Sequence, residues 1–261
     1  MPRIAILSDI HSNLHALKAV LKDVDRAKVD SIVFGGDIVG YGAYPKACVD
    51  LVRAHGETCV LGNHDHYTIQ LADRLAALEN EPGIVDNPVW MGIVHSIRET
   101  QGDALLWLAS LPITVRLPNA VISHAALHNQ ADWPYLSSAQ EATPTLALLD
   151  TPVGFFGHTH QTRLFFDKSK PGRPKWHGKE AIEITENCRC ALTVGSVGQP
   201  RDGDTRAAWV IWDSDNSMVE LKKTVYPHLA AANAIIEANL PEHSAMRLLD
   251  RAARMLLCTE E

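Results

Sequence analysis

The sequence predicts an α/β fold, and two observations carry that expectation. Residues 1–65 alternate strand-length apolar runs with amphipathic helical patterns, and residues 112–225 turn into a succession of short strands before two last helical patterns. A third observation concerns chemistry. The early strands end in polar clusters, SDIH, GGD and GNHD, and sites in open α/β sheets lie beyond the carboxyl ends of strands.

Taken in order, RIAIL (residues 3–7) is a β-type run ending at Ser8-Asp9. Residues 12–26 place Leu14, Leu17, Leu21 and Val24 at helical spacing, with Ser12 as the expected N-cap. SIVFGGD (31–37) is a buried strand stopped by glycines, residues 45–54 look helical, and ETCVLGN (57–63) is a short apolar run ended by Gly62. Strand–helix–strand–helix–strand is the pattern of a parallel, right-handed βαβ sheet. Residues 67–110 are mostly helical in pattern, broken at Pro82-Gly83 and Asn87-Pro88. Then come ITVRL, NAVISHA, VGFFGH, TRLFF, AIEIT, RCALTV, AAWVIW and SMVELKK. KSKPGRPKWHGKE (168–180) is polar, basic and rich in Gly and Pro, so it is expected to be a loop with a solvated hairpin tip. Residues 228–257 carry two helical patterns broken by Pro241. Packing on their own sheet is favoured over contact with a second copy, which leaves a homo-oligomer open. No linker divides the chain, so a single domain is expected over 1–261, with a helical insertion at about 67–110 and carboxyl-terminal helices at about 228–257.

With 46% hydrophobic and 21% charged residues, the composition excludes disordered, collagen-like and coiled-coil classes. Lys+Arg 24 against Asp+Glu 31 leaves a net charge of −7, which disfavours a stable nucleic-acid partner. The amino terminus lacks the apolar region of a signal peptide, and no run reaches the ~18–20 residues of a membrane span. A cytoplasmic protein without a membrane partner is expected. Of five cysteines only Cys188 and Cys190 are near neighbours, which suits reduced structural thiols.

The chemistry lies in four clusters of metal-ligand residues placed just after strands: Asp9-x-His11, Gly36-Asp37, Gly62-Asn63-His64-Asp65 and Gly157-His158-Thr159-His160. A fifth candidate, His124, follows the strand AVIS. Alternate residues of an extended segment share a side, so D-x-H and H-x-H can each present two ligands together. Two carboxylates, one amide and several imidazoles are too few carboxylates for calcium and suit Mn, Fe, Zn or Ni. Two divalent ions bring +4 against −2 from Asp9 and Asp37. The centre stays positive and attracts an anion such as phosphate.

SDIH (8–11), GGD (35–37), GNHD (62–65), SHA (123–125) and GHTH (157–160) resemble the five signature motifs of the calcineurin-like metallophosphoesterases. SDIHSNLHAL, GDIVGYG, GSVGQPRDGD and LPEHSAMRLL are similar to a bacterial and archaeal single-domain subgroup, often labelled phosphodiesterase-like or diadenosine-tetraphosphatase-like. The resemblance implies a four-layer α/β/β/α fold, a two-sheet β-sandwich flanked by helices. It also implies a dinuclear centre. Asp9, His11 and His160 would hold one divalent ion and Asn63, His124 and His158 the other, with Asp37 bridging them and manganese the first choice of metal. A metal-bridging hydroxide would attack phosphorus, His64 would stabilise the transition state or protonate the leaving oxygen, and Asp65 would orient His64.

The implied activity is hydrolysis of a small phosphate ester or nucleotide-type substrate, by a phosphodiesterase or phosphatase. Protein phosphatases of the family carry an Asp-Arg pair shortly after the second motif's Asp, and GDIVGYG has none, so a phosphoprotein phosphatase is the alternative. A scaffold that binds metal without catalysis and a DNA nuclease are weaker ones. Substrate-binding candidates are Arg201, Tyr41 and His128. Arg201 either clamps an anion or forms a salt bridge to Asp202 or Asp204. Tyr41 lies just past Asp37, and His128 shares a loop with Trp133 and Tyr135 that either walls the substrate or packs under itself.

Overall fold

The computed structural model describes residues 2–56, 58–79, 81, 83 and 87–250. The first half of the chain runs β1 (Arg3–Leu7), α1 (Leu14–Ala27), β2 (Ser31–Phe34), α2 (Pro45–His55), β3 (Thr58–Cys59), α3 (Asn63–Gln70), α4 (Leu75–Leu78), α5 (Pro88–Glu99) and α6 (Asp103–Ala109). It continues with β4 (Thr114–Leu117), β5 (Ala120–Ser123), α7 (Ala139–Leu148), β6 (Val153–Phe156), β7 (Thr162–Phe166), β8 (Pro174–His177) and β9 (Ala181–Ile184). The last elements are β10 (Cys190–Val194), β11 (Ala207–Asp213), β12 (Met218–Thr224), α8 (His228–Glu237) and α9 (Glu242–Met246).

Two mixed sheets result, seven-stranded in the order β3-β2-β1-β11-β12-β9-β8 and five-stranded in the order β4-β5-β6-β10-β7. β1, β2 and β3 are parallel, as the βαβ pattern predicts, and β11 joins β1 antiparallel. The period-2 alternation of a strand divides β1 between two cores. Ile4 and Ile6 face the second sheet with Val210 and Trp212, while Ala5 and Leu7 face α1 and α8 with Trp209 and Ile211. Burial on both faces is why these strands are almost wholly apolar. α7 covers the outer face of the smaller sheet through Ala142 and Leu146 against Val121, Phe156 and Ala191. The layers are therefore helix, sheet, sheet, helix. Among the described residues no helix is long and apolar enough to cross a membrane.

Four local expectations are corrected. The first helix is capped by Asn13, whose Oδ1 accepts from the Ala16 N–H at 3.0 Å; Ser12 precedes it with a positive φ. Within the predicted loop 168–180, Pro174–His177 forms edge strand β8, where its proline sits at the first position and β9 supplies its partner. Residues 139–148, read among strands, are helical despite Pro144, because Ser138 caps the helix and its apolar side has a sheet to cover. The second carboxyl-terminal pattern is helical only over α9, which ends at Met246, whereas α8 packs within the chain as expected, with Ala231, Ala232 and Ile235 in the core. The predicted turn at Pro82 and the helix beyond residue 250 lie outside the described residues.

Candidate metal centre

The strand ends of the two sheets meet at one edge. Asp9 and His11 follow β1, Asp37 follows β2, Asn63 opens α3 just after β3, His124 follows β5, and His158 and His160 follow β6. All seven are buried. Asp9, His11 and His160 bring one donor atom each within 4.8 Å of one another; so do Asp37, His124 and His158, and so do His11, Asp37 and His64. Asn63 Oδ1 lies 3.1 Å from His124 Nε2.

Backbone geometry shows how such a cluster forms. Asp9, His11, Asp37, His158 and His160 all have positive φ, which costs a non-glycine residue about 1–3 kcal/mol and persists only where the surroundings impose it. The loops lock together here: Asp9 N–H donates to Gly36 O (3.0 Å), His11 N–H to Asp37 O (2.9 Å) and Gly157 N–H to His124 O (2.9 Å). Asp37 Oδ1 accepts from the His64 N–H at 2.8 Å, and the Asp9 carboxylate accepts from the His158 N–H at 3.1 Å. Two glycines are required by contact. A Cβ on Gly62 would lie 2.8 Å from Asp37 Cγ, and one on Gly157 would lie 2.6 Å from Asp9 Oδ2.

Backbone carbonyls also set the imidazole tautomers. His11 Nδ1 faces Val39 O at 3.1 Å, His160 Nδ1 faces Gln199 O at 2.7 Å and His124 Nδ1 faces Gly35 O at 2.8 Å. A carbonyl only accepts, so each Nδ1 carries the proton and, in a neutral ring, Nε2 offers a lone pair. His11 Nε2 and His160 Nε2 nevertheless approach to 3.0 Å, and His160 Nε2 is 3.3 Å from Asp9 Oδ1. Two lone pairs and a carboxylate at that separation repel unless a cation lies among them. Asp37 Oδ2, buried without a hydrogen-bond partner, lies 3.5 Å from His11 Nε2 and 3.2 Å from His124 Nε2, within reach of both groups. The donor set fits divalent cations.

The electrostatics reflect the same crowding. Burial pushes the Asp9 carboxyl up to about 7, with Asp37's charge adding to the effect. Burial lowers His11 and His160 well below the usual imidazole range and brings His158 down to about 3, so these rings are neutral at pH 7. Burial also opposes the charged forms of His124 and Asp37. Their mutual attraction prevails, holding His124 at about 9 and Asp37 well below the usual carboxylate range.

Around the cluster, the Tyr41 ring lies 4.8 Å from His11 and 4.6 Å from His64. Arg201 reaches it from the other side: its guanidinium stands 5.8 Å over the Tyr41 ring and donates to Gln199 Oε1 at 2.9 Å and Tyr41 Oη at 3.4 Å. The alternative salt bridge of Arg201 is not formed, because Asp202 pairs with Lys223 and Asp204 with Arg206. His128 is not brought to the cluster; its Nδ1 meets Thr145 Oγ1 of α7 at 3.1 Å. From the same loop, Tyr135 stacks on His158 at 3.9 Å and Trp133 lies 6.0 Å from His124. Asp65 does not contact His64 by a hydrogen bond. Its carboxylate accepts from the backbone N–H groups of Ile38 (2.9 Å), Val39 (3.1 Å) and Gly62 (3.1 Å), tying the loop after β2 to the start of α3.

Sequence reasoning missed the carbonyls of Gly35, Val39 and Gln199 that orient the rings, since side-chain patterns carry no signal for a main-chain acceptor. It also missed Ser196, whose Oγ donates to Asp9 O at 2.8 Å from within the quoted GSVGQPRDGD segment.

The sequence profile of a family described as calcineurin-like phosphoesterase matches residues 2–162. A protein of Methanocaldococcus jannaschii is 33% identical over 252 residues, covering 94% of this chain and 96% of that protein. The crystal structure of a metallophosphoesterase from Sphaerobacter thermophilus superposes with a TM-score of 0.79 at 33% identity, over 95% of this chain and 98% of that one. A Pyrococcus horikoshii protein of known structure, 14% identical, shares the fold with a TM-score of 0.75 over 94% of this chain and 97% of that one.

Proposed function

The chain belongs to the calcineurin-like phosphoesterase family, and from that premise we propose that it is a two-metal hydrolase of small or nucleotide-type phosphate esters, diesters foremost. The observation that carries the two-metal part is the 3.0 Å approach of the His11 and His160 Nε2 atoms beside a partnerless Asp37 Oδ2. Asp9, His11 and His160 would hold one cation and Asn63, His124 and His158 the other, with Asp37 between them. Manganese is the first expectation; iron, zinc or nickel suit the same donors and depend on supply. When bound there, two such cations would supply Lewis acidity to a phosphate and lower the pKa of water at the site.

The chain's own residues do the rest. The left-handed loops hold the donors rigid, so little reorganisation is needed when the phosphate arrives. Hydrolysis joins a water oxygen to phosphorus, breaks the P–O bond to the leaving group and leaves that oxygen needing a proton. His64 is placed to supply it or to stabilise the charge that develops there. Tyr41 and Arg201 form the wall on the His11 side and Tyr135 the wall on the His158 side. The stretch after Asp37, with Gly40 and Tyr41 in place of an Asp-Arg pair, supports a small substrate over a phosphoprotein. The four described cysteines, free and buried, suit a reducing compartment such as the cytoplasm.

The test is turnover of chelator-stripped protein reloaded with Mn²⁺ on a nitrophenyl phosphodiester and the matching monoester, beside Asp37→Ala. Metal-dependent diester cleavage that the variant lacks is expected. Preference for the monoester would make the enzyme a phosphatase, and no turnover on either ester with two metals bound would overturn the hydrolase reading for such substrates.

A further inference from the structure

Arg201, whose guanidinium reaches Tyr41 Oη at 3.4 Å, also lines an open cleft of about 570 Å³ together with Arg247. Arg247 comes from the far end of the chain, just past α9, and its position is imposed from both sides. Ser244 and Ala245 before it and Leu248 and Leu249 after it are buried, and its N–H donates to His243 O at 3.2 Å. Its Nε donates to His243 Nε2 at 2.9 Å, which leaves the two terminal amino groups of the fork. Arg201 has a buried Nε without a partner. Among the described residues neither guanidinium has a carboxylate within 4.0 Å. Asp204 and Asp250 also line the cleft, but Asp204 is held by Arg206 at 2.7 Å.

Two arginines that line one cleft, with no carboxylate within 4.0 Å of either among the described residues, repel each other. Burial first, and then the neighbouring charge of Arg201, lower the pKa of Arg247 from the usual arginine range. An anion seated between them would remove that repulsion. A planar guanidinium fork matches two oxygens of one phosphate, which a lysine cannot do. The order of groups is thus metal donors, the Tyr41 ring, Arg201 and Arg247.

Resting on the phosphoesterase reading, we infer that Arg247 and Arg201 form a seat for a second, uncleaved phosphate of the substrate, making Arg247 a specificity-determining residue for molecules that carry at least two phosphates. The single-phosphate ester is then a partial substrate, because it fills only the metal end of the site. Nothing in the spacing of the sequence motifs links residue 247 to this edge; core burial of the carboxyl-terminal segment brings it there.

The experiment compares two hydrolysis-resistant probes, methylphosphonate and methylenebisphosphonate, by calorimetry on the Mn²⁺-loaded full chain in the unaltered protein, Arg247→Ala and Arg247→Lys. The seat predicts that the bisphosphonate binds more tightly than the monophosphonate and that Arg247→Ala shrinks this advantage about tenfold, the loss of one charge-assisted contact. Arg247→Lys falls between, because it keeps the charge and loses the fork. Thermal melting of each variant separates this from loss of fold. An undiminished advantage in a folded Arg247→Ala protein overturns the inference, as does the absence of any advantage in the unaltered protein. Turnover of the nitrophenyl diester, measured alongside, reports on the phosphoesterase reading alone. Its absence together with an Arg247-dependent preference would sink that reading and leave the seat standing.

Discussion

His64 lies directly against Gly40: a Cβ on that glycine would come within 3.0 Å of His64 Cγ and would collide with Nδ1. That Nδ1 is buried and has no hydrogen-bond partner. The ring is held by its neighbours His11 and Tyr41, at 4.7 and 4.6 Å, and by the backbone bond from its own N–H to Asp37.

Because contact rather than a hydrogen bond positions it, His64 should be sensitive to the floor beneath it. His64→Gln is expected to keep its metal and to lower kcat by about 10²–10⁴, the range for a lost general acid. Gly40→Ala should lower kcat in the same direction, since the methyl displaces the ring and Gly40 itself has a φ of +95°. Metal content by elemental analysis beside kcat decides it. Unchanged turnover in His64→Gln would remove the role.

Asp65 acts on loops. Asp65→Ala would leave the Ile38, Val39 and Gly62 N–H groups without their acceptor, at a cost of about 2–4 kcal/mol for buried donors to a charged or polar acceptor. Asp37 and Asn63 sit on the two segments it joins, so weaker metal retention should accompany the lower melting temperature. A variant that melts normally and keeps its metal but loses turnover would instead place Asp65 in direct service of His64.

Metal uptake should release protons. Without metal, Asp9 has its pKa raised to about 7, chiefly by burial, and His124, despite burial, is held at about 9 by Asp37 and Asp9. Both must be deprotonated to bind, so affinity for Mn²⁺ should rise with pH between 7 and 9, with roughly one and a half protons released per protein at pH 7, about one from His124 and about half of one from Asp9. The sign for stability follows from the same shifts. A group with a raised folded-state pKa stabilises below its unfolded value and loses that contribution as pH rises through the folded one. Metal-free protein should therefore lose stability from pH 7 to 9 as His124 gives up its proton, and the melting-temperature gap to metal-loaded protein should widen. His158, His11 and His160, all lowered, are neutral throughout that window and do not reverse it. Calorimetry in buffers of different ionisation enthalpy counts the protons; a gap that narrows with pH would contradict the scheme.

The strand-end cluster was legible because each of its residues sits within a few positions of a strand end, and strand ends of one sheet must meet whatever their distance in sequence. Apolar runs such as RIAIL and AAWVIW announce strands by their own composition. β8 and α7 were hidden for the opposite reason. PKWH is polar and becomes a strand only because β9 offers backbone partners, and Pro144 argues locally against a helix that a sheet face stabilises.

What the sequence determined by itself is the βαβ order, the strand-end clusters and the donor types, all of which depend on neighbours in the chain. Only the tertiary structure decided that Asp65 binds backbone and not His64, that His128 joins Thr145, and that Arg201 and Arg247 share a cleft beside Tyr41. Those outcomes depend on which of several hydrogen-bond and packing partners lies within a few ångströms. Distant segments settle that choice when the two sheets and their covering helices close on each other.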